Sequence, residues 1–390
     1  MAEAYIVDAV RTAGGRRNGR LVGWHPADLA ALVIDALNER TGIDPGAIED
    51  VILGCVSQTG DQSANVARNA VLASRLPITV PAVTIDRQCG SSQQAIHFAA
   101  MAVISGVQDV VIAGGVESMT RVPMFSPTRL AVDAGLGSGP YSPRIKARFP
   151  GPDFSQFIGA EMIAQRYGFS RDDLDLFALD SHRKAAAAAD ADAFADEIVA
   201  VEVETDAGTM AHRIDEGIRF DASLEAIRSV KPLHEGGAIS AANASQICDG
   251  ASAAMIVSEA GLKRFGLRPI ARIVAMHAIA GDPVVMLDVP LEATRQALAK
   301  AGLKIDDIDL FEVNEAFACV PLAWLRHVEA DPDRLNVNGG AIALGHPLGA
   351  SGTKLMATLV HALRGRGGTY GLQTMCEGGG MANVTIVERL

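Results

Sequence analysis

Two stretches far apart in the chain carry the same passage from helix to strand. Ala36-Leu37, Gly42-Ile43-Asp44 and Ile48-Glu49-Asp50-Val51 are echoed by Ala297-Leu298, Gly302-Leu303-Lys304-Ile305-Asp306 and Asp307-Ile308. Each copy predicts a helix, a short turn and an apolar strand, over residues 51–56 and 308–313 respectively. A chain of 390 residues is also too long for one ordinary core. Together these features predict two related α/β halves, residues 1–120 and 251–390, separated by an inserted loop domain over 121–250. A chance echo of one helix-turn-strand unit is the competing reading.

Periodicity fills in the halves. Residues 5–10, 51–56, 82–85 and 110–113 read as short buried strands, and 27–39, 64–73 and 91–104 as helices. Short strands alternating with helices predict a mostly parallel sheet covered on both faces. The middle of the chain differs, with helices over 159–167 and 172–189 set among Pro, Gly and charged loops. Gly135-Leu136-Gly137-Ser138-Gly139 lies there, but not between a strand and a helix, so it is not a dinucleotide fingerprint. The most apolar stretch, 97–116, is broken by Gln108 and Asp109 and reads as helix then strand, not as a membrane span.

Composition narrows the function. A net charge of −12 argues against nucleic acid as a partner, which requires a basic face. Five scattered cysteines without a C-x-x-C pair are neither a disulfide framework nor a zinc pattern, and the nine histidines show no metal-ligand spacing. No metal and no tightly bound cofactor is expected. The first residues lack a basic region followed by an apolar core, and Glu388-Arg389-Leu390 is not the peroxisomal tripeptide, so a cytoplasmic location is expected.

Four positions draw attention chemically. Cys89, in Asp86-Arg87-Gln88-Cys89-Gly90-Ser91-Ser92, stands between a predicted strand and a predicted helix. Unpaired N–H groups at a helix start favour thiolate over thiol, although a free Cys also serves as a small core hydrophobe. His346 lies among glycines in Asn338-Gly339-Gly340 to Leu348-Gly349, which fits a side chain held in a cleft and equally a His that caps a turn. Cys376 follows a predicted strand over 370–375 and precedes Gly378-Gly379-Gly380, whose N–H groups suit an oxyanion. Asn314, in Asn314-Glu315-Ala316-Phe317, ends a strand, where sites gather in α/β sheets; a helix cap is the alternative.

Taken in order, the first-half Cys, the Asn-Glu-Ala-Phe segment, the Asn-Gly-Gly-Ala to Gly-His-Pro segment and the terminal Cys-x-Gly resemble the thiolase family over essentially the whole chain. That resemblance implies mixed sheets in an α-β-α-β-α arrangement with an inserted loop domain for CoA and the acyl group. It implies acyl transfer in which Cys89 carries the acyl group, His346 activates it and Cys376 is the second acid/base. Asn314 would hold a water that forms one oxyanion hole with His346, and the N–H groups of Cys89 and Gly378 the other. CoA enters as a substrate. Arg219 and Ser245 resemble family CoA contacts, and other Lys and Arg between 144 and 231 are candidates for its phosphates; solvated surface charge and an ordinary turn Ser are the plain alternatives. The family is commonly dimeric or tetrameric, so a homodimer or homotetramer is expected.

One departure bears on substrate. Acetoacetyl-specific biosynthetic relatives carry His-Met-Gly where this chain has Gln156-Phe157-Ile158-Gly159. The Cys-Gly-Ser-Ser-Gln-Gln stretch and Cys376-Glu377 resemble degradative thiolases of bacterial fatty-acid or steroid catabolism. The expected reaction is therefore cleavage of a 3-ketoacyl-CoA to acetyl-CoA, or propionyl-CoA, and a shortened acyl-CoA. The biosynthetic direction and a ketoacyl-synthase-like condensing enzyme are the alternatives, with a non-catalytic lipid-binding relative as a third. Condensing enzymes lack a second catalytic Cys, so Cys376 speaks against that reading.

Overall fold

A computed structural model describes residues 2–151, 154–206 and 208–390 of the protein. Met1, the first residue of the expected N-terminal half, lies outside them, as do Pro152, Asp153 and Ala207 of the expected insertion. The first half-sheet runs, from its edge inward, as Ala82–Ile85, Asp50–Gly54, Val110–Ser118, Cys248–Ser258, Ala4–Thr12, so residues 251–258, expected in the second half, belong to the first. The second half repeats that order. Leu310–Val313, Tyr370–Glu377, Met381–Arg389 and Ala271–Ala280 follow one another, and a parallel bridge from Phe311 to Leu335 stands where the first half has its edge strand. Even the irregularity is repeated. Ala4–Thr12 shifts register between Ile6 and Asp8, and Ala271–Ala280 shifts between Ile273 and Ala275.

The helix-turn-strand echo therefore marks a true structural repeat. Helices Pro26–Thr41 and Val289–Ala301 both end on a left-handed glycine, Gly42 (φ 65°) and Gly302 (φ 70°), and both pass through a short 3-10 turn into the next strand. The two half-sheets meet where Tyr5 pairs with Arg272 and Ile6 with Ala271, which makes one continuous sheet. Two short strands, Gly15–Arg16 and Ile198–Val199, attach to it, and Val201–Thr205 pairs with Gly208–His212 apart from it.

A mostly parallel sheet is not what forms. The edge pairings of each half are parallel, but Cys248–Ser258 lies antiparallel between Val110–Ser118 and Ala4–Thr12, and Met381–Arg389 lies antiparallel between Tyr370–Glu377 and Ala271–Ala280. The chain reaches these returning strands without a crossover helix over the sheet. In the second half, residues 378–380 make the turn; in the first, residues 119–247 take its place. The result is a mixed sheet.

Burial explains the layers. Strand side chains alternate between faces, and here both faces are covered. Val51 and Leu53 face the helices Pro26–Thr41 and Val66–Ala73, while Ile52 points to the other side. That other side is filled by two central helices, Ser91–Ile104 and Ser351–Arg366, which contribute Ala95, Ile96, Ala99, Met356, Leu359 and Val360 to one apolar cluster with both half-sheets. The outer face of the second half carries Val289–Ala301 and Cys319–Val328, with Trp324 fully buried between them. Helix, sheet, helix, sheet, helix is the resulting order. Residues 97–116 form the end of one central helix and the start of Val110–Ser118, and no described helix is long and apolar enough to cross a membrane.

Glycine permits the halves to approach. A Cβ on Gly352 would stand 2.0 Å from the Gln93 nitrogen, and one on Gly115 would stand 2.1 Å from the Gly349 carbonyl oxygen. Thr353 N donates to Ser92 Oγ across the same contact, at 3.0 Å. Gly352→Ala is therefore expected to destabilise the fold by about 3 kcal/mol through overpacking. Gly365→Ala, in the same helix but with open space around it, is expected to raise stability by up to about 1 kcal/mol. Urea unfolding of the two variants checks both signs; equal stabilities would remove the close approach as a constraint.

Candidate active site

The first central helix begins directly after a tight turn. Asp86 Oδ1 accepts the Gln88 N–H at 2.6 Å, and Ser91 Oγ accepts from Arg87 N at 2.9 Å while donating to Gln88 O at 2.6 Å. These bonds hold Gln88 at φ 49°, a conformation that costs a non-glycine residue free energy. Cys89 follows it, half-buried, just ahead of the helix start at Ser91. The thiol is faced by its own N–H and by that of Gly378, both of which favour the thiolate. Burial outweighs them and, with the nearby Glu377, pushes the thiol up to about 12. The N–H groups at the helix start thus favour the thiolate, as expected, while desolvation of the charge works against it.

Cys376 is the last but one residue of the strand Tyr370–Glu377 and is buried close enough to Cys89 for that thiol to oppose its ionisation. Burial, then Cys89 and Cys319, raise its thiol well above the usual range. Glu377 next to it is also buried, and burial lifts its carboxyl to about 8 against the pull of Arg87 and of the Asn383 N–H. Its side chain occupies the space a Cβ on Gly90 would need. Gly378 packs against Gln88, where a Cβ would stand 2.8 Å from Oε1.

The second half supplies the imidazole. Asn314 ends Leu310–Val313, and its N–H donates to Thr374 O on the neighbouring parallel strand, so Asn314 and Cys376 emerge from the same carboxyl edge. It is not a helix cap, because the next helix, Cys319–Val328, is capped at Ala318. Its Nδ2 donates to His346 Nε2 at 3.4 Å. Ser351, the first residue of the second central helix, donates to Pro347 O at 2.9 Å, so its oxygen is left to accept from His346 Nδ1–H at 2.5 Å. This network fixes the tautomer: Nδ1 carries the proton, and Nε2 is the basic nitrogen, its lone pair turned towards the Asn314 amide. Burial, with help from Lys354, lowers the imidazole to about 3. Because the two central helices start side by side at the Gly352–Gln93 contact, His346 and Cys89 lie at the same end of the molecule's central layer.

Sequence reasoning passed over several residues that build this geometry. Glu315 accepts from Ser181 Oγ, Asn336 Nδ2 and Ile342 N and so holds the Gly339-Gly340-Ala341 turn. Ser351 and Lys354 belong to the same Gly-rich segment as His346, and that proximity was the available signal. Gln246 is a fourth: its carbonyl accepts the His346 N–H at 3.0 Å, and its Nε2 donates to Gly217 O and Ile342 O. Through Gln246, the neighbourhood of Ser245 meets that of Arg219. Ser245 is half-buried with its N–H on Ala316 O, whereas the Arg219 side chain is exposed. Gly135 to Gly139 lie between two helices, Ser126–Asp133 and Pro143–Arg148, away from any strand.

Comparison with known proteins decides the family. The family model for the thiolase N-terminal domain matches residues 4–260 and that for the thiolase C-terminal domain residues 267–389. The chain belongs to the thiolase family. It is 52% identical to the steroid 3-ketoacyl-CoA thiolase FadA6 of Mycobacterium tuberculosis, over 100% of this chain and 95% of that protein. It is 42% identical to a 3-ketoacyl-CoA thiolase of Yersinia enterocolitica, with both chains covered completely. The crystal structure of human mitochondrial 3-ketoacyl-CoA thiolase superposes with a TM-score of 0.90 at 35% identity, covering 100% of this chain and 99% of that one. This thiolase is accordingly an acyltransferase with the expected α/β fold.

A neutral imidazole and a neutral thiol make a definite prediction about pH. Since the His346 value lies far below 6.5, its lone pair stays free well into acid. The rate of Cys89 acylation is expected to stay level from neutrality down to about pH 5. Stopped-flow acylation across pH tests this, and an acid limb centred on the ordinary imidazole value would contradict it.

Proposed function

We propose that this thiolase cleaves a 3-ketoacyl-CoA with free CoA, using Cys89 as the acyl carrier. The observation that carries the reading is the second cysteine: Cys376 stands beside Cys89, with Gly378 N–H aimed at the Cys89 sulfur. In the forward step, the Cys89 proton passes to His346 Nε2 and the thiolate adds to the 3-keto carbon. The Cα–Cβ bond breaks, the departing acetyl-CoA enolate takes the Cys376 proton at carbon, and the shortened acyl group remains as a Cys89 thioester. Free CoA then gives its thiol proton to the Cys376 thiolate and attacks that thioester. The released Cys89 thiolate recovers its proton from His346.

Charge develops on oxygen in both halves of this cycle. The N–H groups of Cys89 and Gly378 serve one oxyanion hole, and a water held by Asn314 serves the other together with His346. His346 suits that place because, once Nε2 has taken the Cys89 proton, it becomes a donor. CoA acts as substrate and lies along the inserted segment, with Arg219 and Ser245 as contacts. Support comes from Gln246, which joins the backbone next to both residues to the His346 loop.

The substrate class we favour is a medium-chain or ring-bearing 3-ketoacyl-CoA. In place of the His-Met-Gly of acetoacetyl-specific relatives, Phe157 packs edge-on against Phe317 of the Asn-Glu-Ala-Phe segment, with centroids 5.8 Å apart. The 52%-identical relative is named for steroid 3-ketoacyl-CoA. A cytoplasmic enzyme is consistent with five free cysteines, two of them at the site. A homodimer fits the exposed Val83 on the edge strand and Phe98 and Met101 on the helix that follows it.

Three measurements follow. Cys376→Ser is expected to leave Cys89 able to take an acyl group, seen by intact mass, while thiolysis falls about 10²- to 10⁴-fold; undiminished turnover would remove the thiolase mechanism. In a panel of short, long and ring-bearing 3-ketoacyl-CoAs, acetoacetyl-CoA is expected to be a poor substrate, and a clear preference for it would reverse the substrate class. Phe98→Glu is expected to shift the mass in light scattering from dimer towards monomer, whereas an unchanged dimer places the interface elsewhere.

A further inference from the structure

His346 stands in a glycine-rich loop, yet proton transfer requires its ring to be held to within a fraction of an ångström. Gly345, immediately before it, has φ 81°, and a Cβ there would meet the Cys248 sulfur at 2.7 Å, so the loop follows a path that only glycine can take. What fixes that path is a buried cation. Lys354, in the first turn of the second central helix, donates from Nζ to Leu344 O at 2.5 Å and to Gly345 O at 3.3 Å. Those are the two carbonyls that precede His346.

The third direction of the ammonium points to Asp215 Oδ1 at 3.5 Å, on the inserted segment. Asp215 also accepts from Gly14 N at 2.7 Å and from Arg11 Nη1 at 2.9 Å, and Arg11 Nε bonds Glu197 at 2.5 Å. Two cations and two carboxylates thus form a balanced buried cluster drawn from the first strand, the insertion and the second central helix. Such a cluster is seldom more stable than well-packed apolar side chains of the same volume. Its placement behind the imidazole therefore calls for another explanation. Alongside it, a cavity of about 20 Å³ is lined by Lys354, Ser351, Asn314 and Glu312, so the side chain closes the space behind the base.

We propose that Lys354 is a positioning residue for His346, clamping the backbone that carries the imidazole, and that Asp215 holds Lys354 in register; this rests on His346 being the base that deprotonates Cys89. Lys354 does not touch the reacting atoms, so its effect appears in the rate of chemistry and not in binding. Its charge also opposes protonation of the imidazole, in the same sense as burial.

The test uses the full chain and single-turnover acylation of Cys89 by a 3-ketoacyl-CoA, with wild type, His346→Asn, Lys354→Met and Lys354→Arg measured together. Lys354→Met is expected to slow acylation by about 10²-fold while KM for CoA stays within about twofold. Lys354→Arg, which keeps a cation and donors long enough for the same carbonyls, is expected to recover at least about tenfold of that loss. Acylation at the wild-type rate in Lys354→Met, or no recovery in Lys354→Arg, would overturn the proposal. Should Lys354→Met not fold by circular dichroism, Lys354→Gln replaces it under the same criterion. His346→Asn separates the two levels: if it acylates normally, the base assignment itself fails, whereas a dead His346→Asn beside a normal Lys354→Met rejects only the clamp.

Discussion

The contact between the first turns of the two central helices is the constraint on which the remaining structure depends. Gly352 allows the backbone of one helix to press on Gln93 of the other, and Gly54, Gly115 and Gly349 allow the loop after His346 to lie against the strand ends of the first half. Glu117 secures the same junction by accepting from Val56, Ser57 and Gly349 N–H groups at 2.9–3.0 Å. Each half alone would carry half a reaction centre. Cys89 arrives on one helix start and His346 is pinned by the other, so in the proposed mechanism the packing of the central layer also sets the distance over which a proton must move.

That layer is largely buried, and burial governs its electrostatics. Water normally stabilises both a thiolate and an imidazolium. Burial pushes the Cys89 thiol up to about 12 and lowers His346 to about 3, which favours the neutral form of each. Helix starts and N–H groups act in the opposite direction but are outweighed. A site of this kind holds its nucleophile inactive until a bound carbonyl gives the developing charge somewhere to go, at the N–H groups already directed towards it.

Much of this was legible in the sequence, because short-range signals dictated it. The helix-turn-strand echo foretold the repeat, and short strands alternating with helices foretold a sheet covered on both faces. Cys89, Asn314, His346 and Cys376 each sit where a strand ends or glycines cluster. What stayed hidden was long-range. Nothing local indicates that Cys248–Ser258 runs antiparallel between strands that precede the insertion, so a mostly parallel sheet was the natural and incorrect expectation. Nothing local indicates that Gln246 carries the His346 N–H or that Lys354 reaches back to Leu344 and Gly345. The left-handed turn at Gln88 was invisible for a different reason: the residue type gives no hint of positive φ, and only the bonds from Asp86 and Ser91 impose it.

The long segment between Ser118 and Cys248 begins and ends on two adjacent antiparallel strands, in the place where the second half has a turn of three residues. Its two ends are thus held side by side by the sheet, whatever lies between them. Closing a loop that is already pinned costs little more as it lengthens, since the entropic penalty grows only with the logarithm of its length. Changes of length are therefore cheap here, provided they spare Ser181, Asp215 and Gln246, through which the segment supports the His346 loop. The same hairpin that is a plain corner in one half serves, in the other, as a socket for evolutionary novelty.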